Sequence, residues 1–239
     1  MIGKLIRSTA TAIPEGGLKN WLRKTILNHR IAAPRELMVN KGDTVVQVGM
    51  WRPVAAKSLA RAIGPKGRIM FVEVSDKAID DLKKAMENGP CKNVSFFNRG
   101  AWDSPGELEL LVEDDPAATR LDTGMLHPGH GTTSTKMVAV DTIANMCAEA
   151  GIDKIDYIEI TVNGAELHAL KGMGDLVKST KRFWIAGLTR DPETGKPLNI
   201  DISEELQARG VNTKISKSGK KVGDQWGKLD GHVYGWQKI

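Results

Sequence analysis

From Thr44 to Gly187 the chain alternates short β-branched runs with stretches of helical spacing, and that alternation restricts its fold more than any other feature. Thr44 to Val48 reads as a strand, Gly49 as a turn, and Val54 to Ile63 as a helix stopped by Gly64-Pro65. Arg68 to Glu73 repeats the strand signal, Asp76 to Asn88 gives a second helix and Asn93 to Asn98 a third strand. A helix Thr142 to Ala150, a strand Ile155 to Ile160, a helix from Ala165 to Leu170 and a strand Arg182 to Gly187 continue the pattern. Strands joined through helices cannot pair as hairpins, so the expected product is a parallel sheet with helices on both faces. The tail, Val211 to Ile215 and His232 to Gln237 around a Lys/Gly-rich turn, predicts a terminal antiparallel hairpin.

The chain has 239 residues, 41% of them hydrophobic and 26% charged, which suits one well-buried α/β domain and excludes disorder or a disulfide scaffold. The expected division is an amino-terminal helical arm over residues 1–40 and the α/β domain over 41–239. Within the arm, Leu18 to Ile31 spaces Leu18, Trp21, Leu22, Ile26 and Leu27 helically among Lys19, Arg23, Lys24 and Arg30. This segment reads either as a helix on the domain edge or as a lid that touches an anionic surface. A net charge of +5 tilts encounters toward anions without concentrating a nucleic-acid footprint. Lys214, Lys217, Lys220 and Lys221 with Trp226 could hold phosphate and stack a base, but lysines also guard sheet edges, and no specific nucleic-acid partner is expected. Trp226 and Trp236 are expected to close the core beneath the hairpin. Cys91, Cys147 and five scattered histidines make no zinc pattern, and no metal site is expected. Met1 to Gly17 lacks a signal-peptide core, so a cytoplasmic chain with reduced thiols is expected.

Ligands of a doubly wound sheet bind at the carboxyl ends of its strands, which directs attention to Gly49, Glu73, Gly100 and Thr161. Gly49 allows close approach of a ligand to backbone. Glu73, 24 residues later, stands where a carboxylate can grip both hydroxyls of a ribose. Gly106 to Val112 and Lys136 to Val140 read as further short strands, and the loop between them, Asp114 to Ser134, is a candidate substrate wall that carries His127 and His130. Those histidines could bind an acceptor or move a proton, or be solvated only.

The order of these strand ends adds a resemblance. Val45-Val46-Gln47-Val48-Gly49, Ile69-Met70-Phe71-Val72-Glu73, Asn98-Arg99-Gly100-Ala101-Trp102, Val140-Asp141-Thr142 and Ile158-Glu159-Ile160-Thr161-Val162-Asn163-Gly164-Ala165-Glu166 follow one another as in the FkbM family of S-adenosylmethionine-dependent methyltransferases, which the chain resembles over roughly Asp43 to Met173. The resemblance implies a Rossmann-like class I methyltransferase fold with a seven-stranded, mostly parallel sheet. It implies S-adenosylmethionine bound along Gln47, Gly49, Trp51, Glu73 and Ala101, and methylation of an oxygen on a small-molecule, sugar or lipid-linked acceptor placed near Thr161, Asn163 and Glu166. The chain departs from the family at several of these positions. Gln47 replaces an acid, Pro53 replaces a second glycine after the bulky Trp51 and Arg52, and Thr161-Val162-Asn163-Gly164-Ala165-Glu166 replaces Asp-Val-Glu-Gly-Ala-Glu. Neither Thr161 nor Asn163 is a base at neutral pH. Glu166 is left as a candidate catalytic carboxylate or as a helix-start residue favoured by the dipole, while Glu159 is a new acid expected to face a helix or solvent. The alternative to an enzyme is a catalytically inactive scaffold that keeps the fold as a binding surface.

Overall fold

The computed structural model describes residues 39–49, 53–113, 119–125, 132–215, 221–222, 225–226 and 231–237. The expected arm over 1–40 lies outside them but for its last two residues, as do Trp51, His127, His130, Lys217 and Lys220. The elements in chain order begin with β1 (Thr44–Val48), α1 (Pro53–Ile63), β2 (Arg68–Val72), α2 (Asp76–Met86), β3 (Asn93–Phe97) and β4 (Gly100–Ala101). They continue with β5 (Gly106–Glu113), β6 (Arg120–Leu121), β7 (Thr132–Asp141), α3 (Ile143–Ala150), β8 (Tyr157–Ile160), α4 (Glu166–Lys171) and α5 (Leu176–Ser179). The last are β9 (Arg182–Ala186), α6 (Leu198–Ala208), β10 (Asn212–Ile215), β11 (Lys221–Val222), β12 (Gln225–Trp226) and β13 (His232–Trp236).

The main sheet has seven strands in the order β10-β13-β9-β8-β1-β2-β3, with β13 antiparallel to both of its neighbours and the β9, β8, β1, β2 and β3 pairs parallel. This is the Rossmann-like class I arrangement expected from the sequence. The chain runs outward from β1 to β3, then returns to the other side of β1 as β8, so the switch point lies between β1 and β8. Alternate residues of each strand separate two cores. Val45, Ile69, Phe71 and Tyr157 pack with Ala56, Leu59 and Ile63 of α1 and Ile79 and Leu82 of α2. On the other face Val46, Val48, Met70, Ile158, Ile160 and Phe183 pack with Ile143 and Met146 of α3, Leu170 of α4 and Ile202 and Leu206 of α6.

Local chemistry sets the helix ends. Pro53 opens α1, where its missing N–H would have no partner in any case. The Ser75 hydroxyl accepts from Ala78 N at the start of α2, and the Thr142 hydroxyl accepts from Asn145 N at the start of α3. Gly151 closes α3 at φ +68°. Sequence reading missed α6, because its apolar positions follow the turn-rich segment from Leu188 to Pro197 with no capping side chain at Pro197. The presumed long loop also proved shorter than expected. β7 begins at Thr132, and Arg120–Leu121 forms a short strand, so that β4-β7-β5-β6 make a second sheet beside the first. Periodicity could not reveal β6, since two residues carry no period. In the terminal hairpin Val233 and Tyr234 take the interior places and Trp236 is half-buried. No helix among the described residues is long and apolar enough to cross a membrane.

The amino end of the sheet is stapled by charge. Asp156 Oδ2 accepts from Thr44 N at 2.8 Å, its other oxygen meets Lys181 at 2.6 Å, and Arg182 pairs with Asp43 at 2.5 Å. Burial alone would raise the Asp156 pKa, but the hydrogen bonds from Lys181 and Thr44, with the charges of Lys181 and Arg182, hold it below the usual carboxylate range. A lowered folded-state pKa adds stability above the unfolded value and loses it as pH falls through the folded one. Asp156→Ala should therefore cost about 1–3 kcal/mol at neutral pH, and the deficit should shrink below about pH 4. Urea unfolding of both proteins at pH 7 and pH 3 checks this, and an equal deficit at both values contradicts it.

Candidate functional site

The site is built where the tips of β1 and β8 meet. Thr161 N donates to Val48 O at 2.9 Å and the Thr161 hydroxyl donates to Gly49 O at 2.5 Å. Gly49 has φ +76°, and a Cβ there would lie 2.1 Å from Thr161 O, so only glycine fits between the tips. Next to it Glu73 ends β2. Its carboxylate accepts from Ser75 N at 2.9 Å through one oxygen, and its main chain is tied by Phe97 O and by the Asn98 carboxamide.

A cavity of about 240 Å³ opens over these tips. Gly49, Glu73 and Ala101 line it, as do Thr161 and Asn163, so five of the residues singled out from sequence share one space. Lys77 and Asp81 of α2 border it on one side, and Thr119, Arg120 and Leu121 border it on another. Arg120 is ion-paired with the buried Glu113, and Thr119 O accepts from Asn163 Nδ2 at 3.4 Å. Sequence reading gave no role to Thr119 and Arg120, which lay inside the presumed loop, and only the register Leu111 to Arg120 brings them here.

Two of the other candidates, Gln47 and Glu166, stand apart from the cavity wall. Gln47 is fully buried on the α1 side of the sheet, two residues below Gly49, with neither carboxamide atom hydrogen-bonded. Trp51 lies outside the described residues. Glu166 is 1% exposed and faces backbone, with one oxygen accepting from Val162 N at 3.0 Å and the other from Gly164 N at 2.8 Å. It holds the turn that carries Asn163, whose φ of +54° is the only positive value among described non-glycine residues. Glu159, expected to face a helix or solvent, is fully buried on the same face as Gln47, its register partner, and accepts from the Tyr157 hydroxyl at 3.2 Å. Of the two alternatives only solvent fails, because β8 is central and this face is covered by helices.

A stacked pair unforeseen from sequence lies behind the wall. The Trp102 and His168 rings stack at 3.8 Å and 8°, and His168 Nδ1 lies 2.6 Å from Asp103 Oδ2, joining the strand of Ala101 to the helix of Glu166. Both cysteines are buried and free, and burial pushes the Cys147 thiol up to about 12, which leaves it unreactive.

No protein-family model matches the chain, and no curated protein sequence does. Among solved structures, the O-methyltransferase TomG from Streptomyces achromogenes, involved in tomaymycin synthesis, aligns at 10% identity and TM-score 0.49 over 99% of this chain and 96% of its own. An O-methyltransferase from Bacillus cereus aligns at 11% and 0.47 over 98% and 97%. Precorrin-6y C5,15-methyltransferase from Geobacter metallireducens aligns at 10% and 0.45 over 90% and 88%.

Desolvation pushes the Glu166 pKa up to about 7 against the pull of its backbone N–H donors. A raised folded-state pKa means that the stability from this group is complete below the ordinary value of 4.5 and is lost as pH rises through about 7. Glu166→Gln should flatten that part of the pH dependence and, by setting an NH2 against a backbone N–H, cost about 1–3 kcal/mol. Melting temperatures from pH 4.5 to 8 test both effects. A slope unchanged by the substitution would show that another group titrates.

Proposed function

We propose that the chain is an S-adenosylmethionine-dependent methyltransferase acting on an oxygen of a small-molecule, sugar or lipid-linked acceptor. The observation that carries this reading is that Gly49, Glu73, Ala101, Thr161 and Asn163 share a cavity at the switch point. The residues present fit the cofactor. Glu73 commits one carboxylate oxygen to Ser75 N, and its position at the rim suits the vicinal hydroxyls of a ribose. Gln47 lies outside the cavity lining, and its buried, unpartnered carboxamide would act on the cradle only from beneath Gly49.

When bound, the cofactor supplies an electrophilic methyl group on a sulfonium. The chain's own residues would act by placement. The Thr161 hydroxyl is committed to Gly49 O, so Thr161 fixes the separation of the two tips and is not a base. Asn163 lines the wall with a carboxamide that can hold the acceptor oxygen. Glu166 is a positioning residue that acts through the Asn163 turn. Orientation of the reactants, which can supply a large share of rate enhancement in group transfer, is the contribution this site is built to make.

Calorimetry with S-adenosylhomocysteine tests the reading. Micromolar binding is expected, and Glu73→Ala should weaken it at least about tenfold, the loss of roughly one charge-assisted hydrogen bond. Unchanged affinity in Glu73→Ala would remove the ribose role. Failure of the unaltered protein to bind at millimolar ligand would favour the inactive scaffold instead.

A separate measurement concerns Gly49. Gly49→Ala must push the β1 and β8 tips apart, and it should lower the melting temperature as well as ligand affinity, because the added carbon meets main chain and not a yielding side chain. A variant of unaltered stability would mean that the tips are not in contact.

A further inference from the structure

The sequence contains two Asn-Gly pairs, Asn88-Gly89 after α2 and Asn163-Gly164 after β8. In such a pair the backbone nitrogen of the glycine can attack the asparagine side-chain carbonyl, because glycine offers no Cβ to obstruct the approach. The fold holds the two pairs differently. Asn88 is exposed, and the Gly89 N–H donates only to Met86 O in the turn that ends α2. Asn163 is held in the left-handed region, with its carboxamide nitrogen donating to Thr119 O on the far side of the cavity wall. Gly164 is buried and its N–H donates to Glu166 Oε2 at 2.8 Å, while Val162 N–H donates to Glu166 Oε1 at 3.0 Å. One buried carboxylate thus holds the Asn163–Gly164 peptide plane and the Thr161–Val162 plane before it, while the Asn163 carboxamide nitrogen is engaged by Thr119 O.

We infer that Asn163-Gly164 is a latent deamidation site on the cavity wall, kept dormant by the Glu166 cap and the hydrogen bond from Asn163 to Thr119. In the reaction the bond from Gly164 N to Asn163 Cγ forms, the bond from Cγ to Nδ2 breaks, and the amide leaves as ammonia with the proton given up by Gly164 N. Water then opens the cyclic imide at either carbonyl to leave an aspartate, or its β-linked isomer, in place of Asn163. The reaction needs no oxidant, metal or enzyme. Its product carries a carboxylate into the wall where Thr161 and Asn163 stand uncharged, and in the β-linked form it adds a carbon to the backbone, which the turn cannot absorb while both bonds to Glu166 persist. The charge of the cavity is in this way coupled to how often the turn between β8 and α4 opens.

The experiment follows the mass gain from replacing NH2 by OH in the tryptic peptides that contain Asn163 and Asn88, during incubation of the full chain at mildly alkaline pH. Asn88 serves as the exposed internal reference. In the folded protein Asn163 should convert at least about tenfold more slowly than Asn88, and in urea the two rates should agree within about twofold. Glu166→Gln, its fold checked by circular dichroism, should speed conversion at Asn163 severalfold and leave Asn88 unchanged. Equal rates at the two sites in the folded protein would overturn the inference, as would a folded Glu166→Gln protein in which Asn163 is as slow as before. Should that variant not fold, the comparison of native with urea-unfolded chain decides alone, and absence of native protection at Asn163 overturns the proposal.

Discussion

The contact between Gly49 and Thr161 is the constraint on which the rest of the site depends. Two parallel strands lie a fixed distance apart in a ladder, but their tips are free to diverge, and here they are drawn together by a hydroxyl on a carbonyl and by a residue without a side chain. With that separation set, Glu73 on one side and Asn163 on the other stand across a space that a ligand of modest size can bridge. The left-handed turn after Thr161 would relax if Glu166 did not accept both of its inner N–H groups. A carboxylate that looks available for chemistry in the sequence thus serves to hold backbone.

The two ends of the sheet differ in most of their polar groups, although Arg68 Nε at the start of β2 is also buried without a partner. At the amino end, Asp43, Asp156, Lys181 and Arg182 satisfy one another and the first N–H of β1. At the carboxyl end, Gln47 below the tip of β1, Thr189 beyond β9 and Asn199 in the first turn of α6 have buried polar side-chain atoms without hydrogen-bond partners. Buried polar groups left unpaired cost stability, and proteins tolerate them where a bound molecule or water completes the arrangement. The contrast follows the division between the end of an α/β sheet that keeps it stable and the end that binds.

The parts of this architecture that repeat were legible in the sequence. The alternation of runs such as Thr44 to Val48 with helical stretches such as Asp76 to Asn88 specified parallel strands, the strand ends pointed to Gly49, Glu73 and Thr161, and the family resemblance added Ala101 and Asn163, all of which line one cavity. What was not legible depends on partners far away in the chain. The burial of Glu159 follows from β8 being central, which no local pattern states. The place of Thr119 and Arg120 follows from a two-residue pairing with β5. The orientation of Glu166 toward Val162 N and Gly164 N follows from the handedness of one turn. Spacing identifies which residues come near a site, but their direction is set by tertiary contacts.

The switch point also determines the order in which the molecule can be assembled. β1 lies at the centre of the sheet, yet the bonds that flank it on one side join residues 112 positions apart, from Thr44 to Asp156 and from Gly49 to Thr161. During synthesis the segment from β1 to β3 can pair as soon as it is made, while one edge of β1 waits for β8. Closing so long a loop is entropically slow and nothing is gained until it is closed. The junction that forms the cavity therefore cannot form before β8 has been made, and until then an amino half with an open strand edge is the species most exposed to mispairing.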